Sequence, residues 1–563
     1  MPATETEPDP VFAKDPTAFP RLDAHEMDVV EEMGRAQRYA DGETVFRAGQ
    51  AEIDLYVVKS GALQILNPTN DDREIITHAP GEFAGDIDML TGRPVIVTAK
   101  AKGGDVVLLR VANKHLRDVL TAVPRLGEKL ITAFAARREL LARGGVLGLK
   151  VVGPKSCRDT TVVREFLYKN FVPFTWYDTE NPDGQRQWKA IGSPKKTPAI
   201  ECSDKTMLYN PSLIDLAKCA GVWRNCPGEP VDLAVIGAGP AGIAAAVYAA
   251  SEGLRTVVVD RLGPGGQVGG SSLVENFIGF PAGLSGAELA TRGVLQMLKF
   301  GARMVAPVDV ERLEPIDSGH RLHLSCGNTI DAQVVLVATG VRWRKLDAEG
   351  AERFESAGIH YACTSVESIL YDQQDVAVVG AGNSAGQAAM FLADCCRSRT
   401  VHMLIRKRLG PGMSEYLVGR IRSSPNIVVH EGVEVSAVNG GRRLERVTLR
   451  EAKGPGEAVT GDERTEELPL SAMFVFIGAE PGCSWLPEGL ARDELGYILT
   501  GGDAMRSGRW PLKDREPCPL ETTVPGILAA GDIRAGSTKR VGFAVGDGSL
   551  AVTCVHKLIA IRS

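Results

Sequence analysis

Twice in this chain of 563 residues a short apolar run breaks into a glycine-rich hexapeptide and resumes as an apolar helical segment. The first case is Val231 to Ile236, then Gly237-Ala238-Gly239-Pro240-Ala241-Gly242, then Ile243 to Ser251. An uninterrupted apolar run of this length reads as a parallel strand buried on both faces. Gly237 permits the tight turn, Gly239 lets the backbone approach a pyrophosphate, and Gly242 lets helix and strand pack closely. Pro240 and Ala241 open the helix, whose N-terminus faces the phosphates. A second strand, Thr256 to Val259, ends at Asp260, an acceptor for ribose hydroxyls. The hexapeptide alone is a weak signal; in a strand, turn, helix, strand and acid order it specifies a dinucleotide site.

The second case runs Val376 to Val379, then Gly380-Ala381-Gly382-Asn383-Ser384-Ala385, then a helix from Gly386 to Ala393. Its second strand, Thr400 to Ile405, ends in Arg406-Lys407-Arg408 and not in an acid. A carboxylate there would repel a 2′-phosphate and a guanidinium would pair with it, so this site is expected to prefer NADPH. Two such sites in one chain predict two dinucleotides, one in each, the layout of a flavin enzyme fed by a nicotinamide.

The remainder of the chain bounds this reading. Lys and Arg total 64 against 70 Asp and Glu, a net charge of -6, which leaves no basic footprint for nucleic acid. The start, Met1 to Pro16, is acidic and proline-rich, and Leu233 to Ala250 is broken by glycines, so neither a leader nor a membrane span is expected and the location reads as cytoplasmic. There the 11 cysteines should be mainly reduced; a disulfide scaffold is not expected, and any pair should be catalytic. No metal-ligand spacing is present, so no metal site is expected.

Short alternating runs with glycine turns between Phe19 and Leu141 predict a small antiparallel β-roll with flanking helices. Through Gly42 to Gln50, Leu55 to Ile65, and Gly81 to Asp86 followed by Gly92-Arg93-Pro94, this segment resembles the cyclic-nucleotide-binding domain family. The family's cassette carries a Glu for the ribose and an Arg for the cyclic phosphate. Here Asp86 and Val95 stand at those positions, and Arg93 could replace the Arg only with a different geometry. A docking or dimer-forming roll is therefore favoured over nucleotide binding.

From Leu149 to Val222 a βαβ start, a Pro-led strand at Thr197-Pro198-Ala199-Ile200 and a closing helix look like a glutaredoxin-type thioredoxin fold. The resemblance places Cys157 at the first position of the C-x-x-C and Thr160 at the second, with Pro198 at the cis-proline. A helix N-terminus favours the thiolate, so Cys157 reads equally as a reactive thiol or as an inert one on a docking domain.

From Pro230 onward the chain resembles the low-molecular-weight thioredoxin reductase family. Beyond the two cradles, the flavin loop matches at Gly265-Gly266-Gln267 and Val274-Glu275-Asn276, and the return to the FAD domain at Ala338-Thr339-Gly340. Phe474 to Gly478 matches the hinge strand, Gly531-Asp532 the ribityl contact, and Lys539-Arg540-Val541 the loop before the last helix. The resemblance implies a homodimer and domain rotation that alternates nicotinamide and dithiol at the flavin. The family's redox motif falls on Cys363-Thr364-Ser365-Val366, where the second Cys is Val366, with Glu367 the nearest acid. A dithiol cycle needs a resolving thiol, so the acceptor is a small-molecule or protein disulfide or another electron acceptor. Cys157 and Cys363 could pair across domains; independent loss of two dithiols in a flavin-only enzyme is the preferred account, and an NADPH or redox sensor is the alternative to an enzyme.

The expected architecture is thus multidomain: a tail (1–18), a cyclic-nucleotide-binding-like β-roll (19–145), a thioredoxin-like α/β unit (146–224), and two Rossmann-like α/β domains. Of these the FAD domain is split (230–345 and 485–563) around an NADPH domain (346–484).

Overall fold

The computed structural model describes residues 15–68, 72–143, 148–155, 157–271, 273–355, 357–361, 363, 368, 370–441, 443–452, 465–482 and 485–562. The first unit is a six-stranded antiparallel sheet built on the long pair Leu55–Asn67 and Thr98–Val111. Register shifts near Val58 and Ser60 bend that pair, as bulges do, so the sheet curls over its own apolar face. Helix Ala24–Met33 opens with a reciprocal cap between Asp23 and Glu26, and helices Leu116–Ala122 and Pro124–Arg143 close the unit. The β-roll with flanking helices is the arrangement that the sequence predicts between Phe19 and Leu141.

The middle unit is a four-stranded sheet in the order Met207–Tyr209, Ala199–Glu201, Leu149–Gly153, Phe174–Asp178. The two strands of the opening βαβ are parallel and the other pairings antiparallel. The Thr197–Pro198 bond is cis. A helix at Pro182–Ala190 lies where the sequence reading placed none. In a chain whose cysteines are expected to be mainly reduced, Cys202 and Cys219 are disulfide-bonded, joining the end of strand Ala199–Glu201 to helix Leu213–Cys219. Tertiary contact brings together residues 17 apart in sequence, a proximity that cysteine spacing does not encode.

The third unit holds two nucleotide-type sheets. Strands Arg303–Val305, Thr256–Val259, Val231–Ile236, Thr329–Val337 and Ile527–Ala529 run parallel, extended by the antiparallel strands Gly319–Leu324 and Val310–Ile316. Between Thr329–Val337 and Ile527–Ala529 the chain departs, builds a second parallel sheet, and returns. That sheet orders Ile359–His360, Ala472–Val475, Val376–Val379, Val401–Ile405 and Ile427–Glu431. The outgoing and returning segments pair with each other as Val341–Trp343 and Ala479–Pro481, a two-stranded neck. A three-stranded antiparallel sheet, Val433–Asn439, Arg446–Glu451 and Thr465–Pro469, backs the second sheet.

One helix among the described residues, Val541–Arg562, is long and apolar enough to cross a membrane. In this fold it packs on helix Pro240–Ser251 so closely that a Cβ on Gly548 would lie 2.2 Å from the Ala241 carbonyl oxygen. Small residues on both helices permit that approach, and the apolar composition serves the contact.

The units interlock. Arg93 of the β-roll donates to the Asn170 carbonyl at 2.7 Å, and the Asn170 amide group donates to the Leu262 carbonyl of the flavin-side sheet at 2.8 Å. Arg224 donates to the Thr91 carbonyl at 2.9 Å. The Lys155 ammonium reaches the Leu370 carbonyl at 2.6 Å and lies 4.6 Å from the Tyr371 ring centre, and Glu180 pairs with Arg443.

Candidate active site

The first glycine turn is held as its chemistry requires. Gly237 has φ +106°, and a Cβ there would lie 2.4 Å from the Ala338 carbonyl oxygen, so the turn crosses beneath Ala338-Thr339 with no room for a side chain. A Cβ on Gly242 would lie 1.9 Å from the Gly237 carbonyl oxygen. Gly239, by contrast, is not crowded: a Cβ would meet only the Gly266 Cα, at an ordinary contact distance of 3.8 Å. Gly265 N–H donates to the Ala238 carbonyl at 2.8 Å, which fixes the loop carrying Gly266 and Gln267 over this opening. The Gln267 amide group donates in turn to the Val341 carbonyl in the neck.

Asp260 ends its strand as expected, and its carboxylate accepts from the N–H groups of Ala238, Leu262 and Gly263 at 2.8 to 2.9 Å. One oxygen takes two of these bonds and the other takes one, so the carboxylate is locked in orientation with a lone pair to spare. The Thr339 hydroxyl is buried without a hydrogen-bond partner among the described residues. An open glycine cradle, an oriented carboxylate and an orphaned hydroxyl fit a bound dinucleotide.

At the far side Gly531 N–H donates to Asp547 at 3.0 Å, and Asp547 also binds Arg534 at 3.0 and 3.1 Å. Asp547, which no sequence motif singles out, lies within helix Val541–Arg562. Burial holds the Asp532 carboxyl above its ordinary range. Lys539 donates to the Asp532 carbonyl at 2.5 Å and covers the Tyr497 ring at 4.1 Å. Arg540 is exposed, Val541 packs beside Val268, Val274 and Leu284, and Asn276 is exposed on the flavin loop. Gly340 takes φ +62° as the chain turns into the neck.

The second cradle repeats the first. Gly380 has φ +135° and a Cβ there would lie 2.3 Å from the Phe476 carbonyl oxygen, whereas Gly382 has nothing within 4 Å. Helix Asn383–Cys395 starts at this opening. The Asn383 side-chain oxygen accepts from Ser414 N–H at 2.8 Å, Ser384 is exposed at the helix start, and Ala385 is buried. Of the basic trio, Arg406 forms an ion pair with Glu434 at 3.1 Å, a carboxylate that Arg450 also holds at 2.8 Å. Lys407 and Arg408 are exposed. Arg406 therefore brings a neighbouring carboxylate with it, which the sequence did not reveal.

Cys363 is buried, and its backbone bridges in parallel to Ser271 of the flavin loop. The motif's remaining members, Thr364, Ser365 and Val366, and the nearby Glu367, lie outside the described residues. Cys157 is the N-cap residue of helix Arg158–Lys169 and is half-buried. Thr160, one turn on, is fully buried with its hydroxyl unpartnered among the described residues. A Cβ on Gly153 would lie 2.6 Å from that hydroxyl and 3.0 Å from Pro198 Cβ, so Thr160 occupies the ground beside the cis-proline. Among the described residues no cluster of ligating side chains could hold a metal.

Two parallel sheets, each presenting a glycine cradle, joined by a neck, with a cysteine pressed on the flavin loop, define a two-dinucleotide oxidoreductase. Residues 231–548 match the family of pyridine nucleotide-disulphide oxidoreductases, and the chain belongs to that family as an FAD-dependent oxidoreductase. It is 30% identical to a thioredoxin reductase of Mycoplasma pneumoniae over 329 residues, 58% of this chain and 95% of the relative. It is 31% identical to an NADH dehydrogenase of Bacillus subtilis and 29% identical to an alkyl hydroperoxide reductase component from Staphylococcus aureus. Those alignments span 57% of this chain, and little more than half the length of either relative (57% and 58%). A solved thioredoxin reductase of T. acidophilum superposes with a TM-score of 0.51 at 25% identity, covering 59% of this chain and 99% of that one.

Proposed function

We propose that this chain is an NADPH-dependent FAD oxidoreductase that delivers electrons to a disulfide or to another small-molecule or protein acceptor. The observation that supports it best is the pair of cradles, in which Gly239 and Gly382 are uncrowded while Gly237, Gly242 and Gly380 are packed against backbone. When bound, FAD supplies a two-electron acceptor for hydride and an outlet to the acceptor. Gly237, Gly239, Pro240, Ala241 and Gly242 hold the FAD pyrophosphate, Asp260 and Thr339 orient the nucleotide half, and Gly266, Gln267, Gly531 and Asp532 frame the flavin half. Gly380, Gly382, Asn383, Ser384 and Ala385 hold the nicotinamide nucleotide, and Arg406 with Lys407 receives the 2′-phosphate that favours NADPH over NADH. In this reading the enzyme is a cytoplasmic homodimer. Anaerobic titration with NADPH tests it: bleaching of a visible flavin band supports the proposal, and a colourless protein that takes up no flavin refutes it.

A second reading makes Cys157 and Cys363 one redox couple. The contact of Lys155 with Leu370 and Tyr371 favours it, because it docks the loop before Cys157 on the segment that follows Cys363. Reduction of such a disulfide takes two electrons and two protons and yields two thiols. The Cys202–Cys219 bridge takes the same, so electron counting alone does not separate them. Loss of one NADPH equivalent in Cys157→Ser identifies the interdomain couple; an unchanged count eliminates it.

A further inference from the structure

The β-roll encloses a pocket with about 610 Å³ of empty space, its open mouth included. Phe46, Ile53, Ile65, Ile76, Val95 and Val97 supply walls, and the polar members of the lining are His78, Asp86 and Arg137. The carboxylate at the ribose position is committed elsewhere: Asp86 pairs with Arg138 at 3.2 Å and accepts from Asp88 N–H at 2.8 Å. Arg93, the nearest cation to the lost cassette arginine, has left for the Asn170 carbonyl. The cation that remains in the pocket comes from another element, helix Pro124–Arg143.

Arg137 is 7% exposed. Its Nε donates to the Ala18 carbonyl and its Nη1 to the Gly85 carbonyl, both at 2.7 Å, and its plane lies over the Phe83 ring at 4.4 Å. Its Nη2 is buried with no partner among the described residues. A buried guanidinium with an unused donor is costly unless an anion completes it. Glu82, the other carboxylate near enough to act on it, pairs with Arg21 at 3.3 Å.

We infer that this pocket binds an apolar monocarboxylate, its headgroup on Arg137 and its hydrocarbon body among the aliphatic walls. A cyclic nucleotide is also a monoanion, but its ribose hydroxyls and base edges would face aliphatic side chains with Asp86 already engaged, a loss of hydrogen bonds that disfavours it. The inference stands apart from the flavin reading, since nothing in it involves either glycine cradle.

Isothermal titration of the full-length protein with decanoate, decanol and cyclic AMP tests it. Decanoate is expected to bind with one site per chain, about tenfold or more tighter than decanol, as a charge-assisted bond to a buried cation implies. Arg137→Met should erase that difference. Because Arg137 also ties Ala18 to Gly85 and its variant could fail to fold, the comparison of acid with alcohol on the unaltered protein carries the test alone. Equal binding of decanoate and decanol, no binding of decanoate, or tighter binding of cyclic AMP would each overturn the inference.

Discussion

Replacing Gly239 by alanine separates the two roles that glycine plays in a nucleotide turn. The residue takes φ -79° and ψ -177°, an extended conformation open to any residue, and its Cβ would meet no protein atom nearer than 3.8 Å. Relief of chain entropy in the unfolded state and the weaker capping by alanine act in opposite directions, so the apoprotein should stay within about 0.5 kcal/mol of the parent. The added methyl group occupies the space through which a pyrophosphate approaches the backbone. Loss of one or more charge-assisted hydrogen bonds there, at about 1.5–3 kcal/mol each, weakens FAD by about ten- to more than a hundredfold. Gly242→Ala is the contrast. Its Cβ would sit 1.9 Å from a carbonyl oxygen, so restoring a 3.4 Å contact moves the helix start by about 1.5 Å, at a cost of about 1–3 kcal/mol in folding. Flavin-to-protein ratio and thermal unfolding of the apoprotein are the two measurements. A Gly239→Ala protein that retains stoichiometric FAD at parental affinity would refute the placement of the pyrophosphate over this turn.

Four further outcomes are expected. Arg406→Ala and Lys407→Ala should raise KM for NADPH by about tenfold without raising that for NADH, read in steady-state assays with each nucleotide. Cys363→Ser should leave flavin reduction by NADPH intact and divide the two routes of electron exit: loss of NADPH-dependent reduction of a disulfide reagent would assign exit to the thiol, and its retention would assign exit to the flavin alone. Reductant should lower the stability of the unit around Cys202–Cys219 by about 3 kcal/mol, the closure entropy of a loop spanning 17 residues, as followed by urea unfolding with and without a thiol. Burial, against the pull of the Arg138 guanidinium it shares with Asp88, raises the Asp86 carboxyl from 3.8 to about 6. The folded β-roll therefore holds a proton that the unfolded chain has released. The stability this confers is full below the unfolded value and lost as pH rises through about 6. Asp86→Asn should flatten that decline in melting temperature.

The two nucleotide sheets were legible because their signals are local. A buried parallel strand is continuously apolar, and the turn after it admits only glycine at Gly237 and Gly380. The positions of Thr256–Val259 and Val376–Val379 agree with the strands expected there. The middle unit was legible as a βαβ start, yet the helix Pro182–Ala190 was missed because its sequence is largely polar and presents little apolar face. The partners that tune the sites were not legible, since they come from distant sequence. Glu434 reaches Arg406 from the next strand system, Asp547 reaches Gly531 from the last helix, and Arg137 enters the β-roll pocket from a helix whose pattern marks it only as amphipathic. The Cys202–Cys219 bridge escaped for the same reason. Long-range pairing leaves no trace in spacing.

Asn170 is 5% exposed and holds the β-roll corner with its carbonyl while its carboxamide holds the Leu262 carbonyl, three residues before Gly265. A single buried residue, through its main-chain carbonyl on one side and its carboxamide on the other, thus bonds the turn that has lost its cassette arginine to the segment just before the flavin loop. The roll, the middle unit and the flavin-side segment are in this sense bonded in series, so the Gly92–Pro94 corner and the residues ahead of Gly265 share one anchoring point.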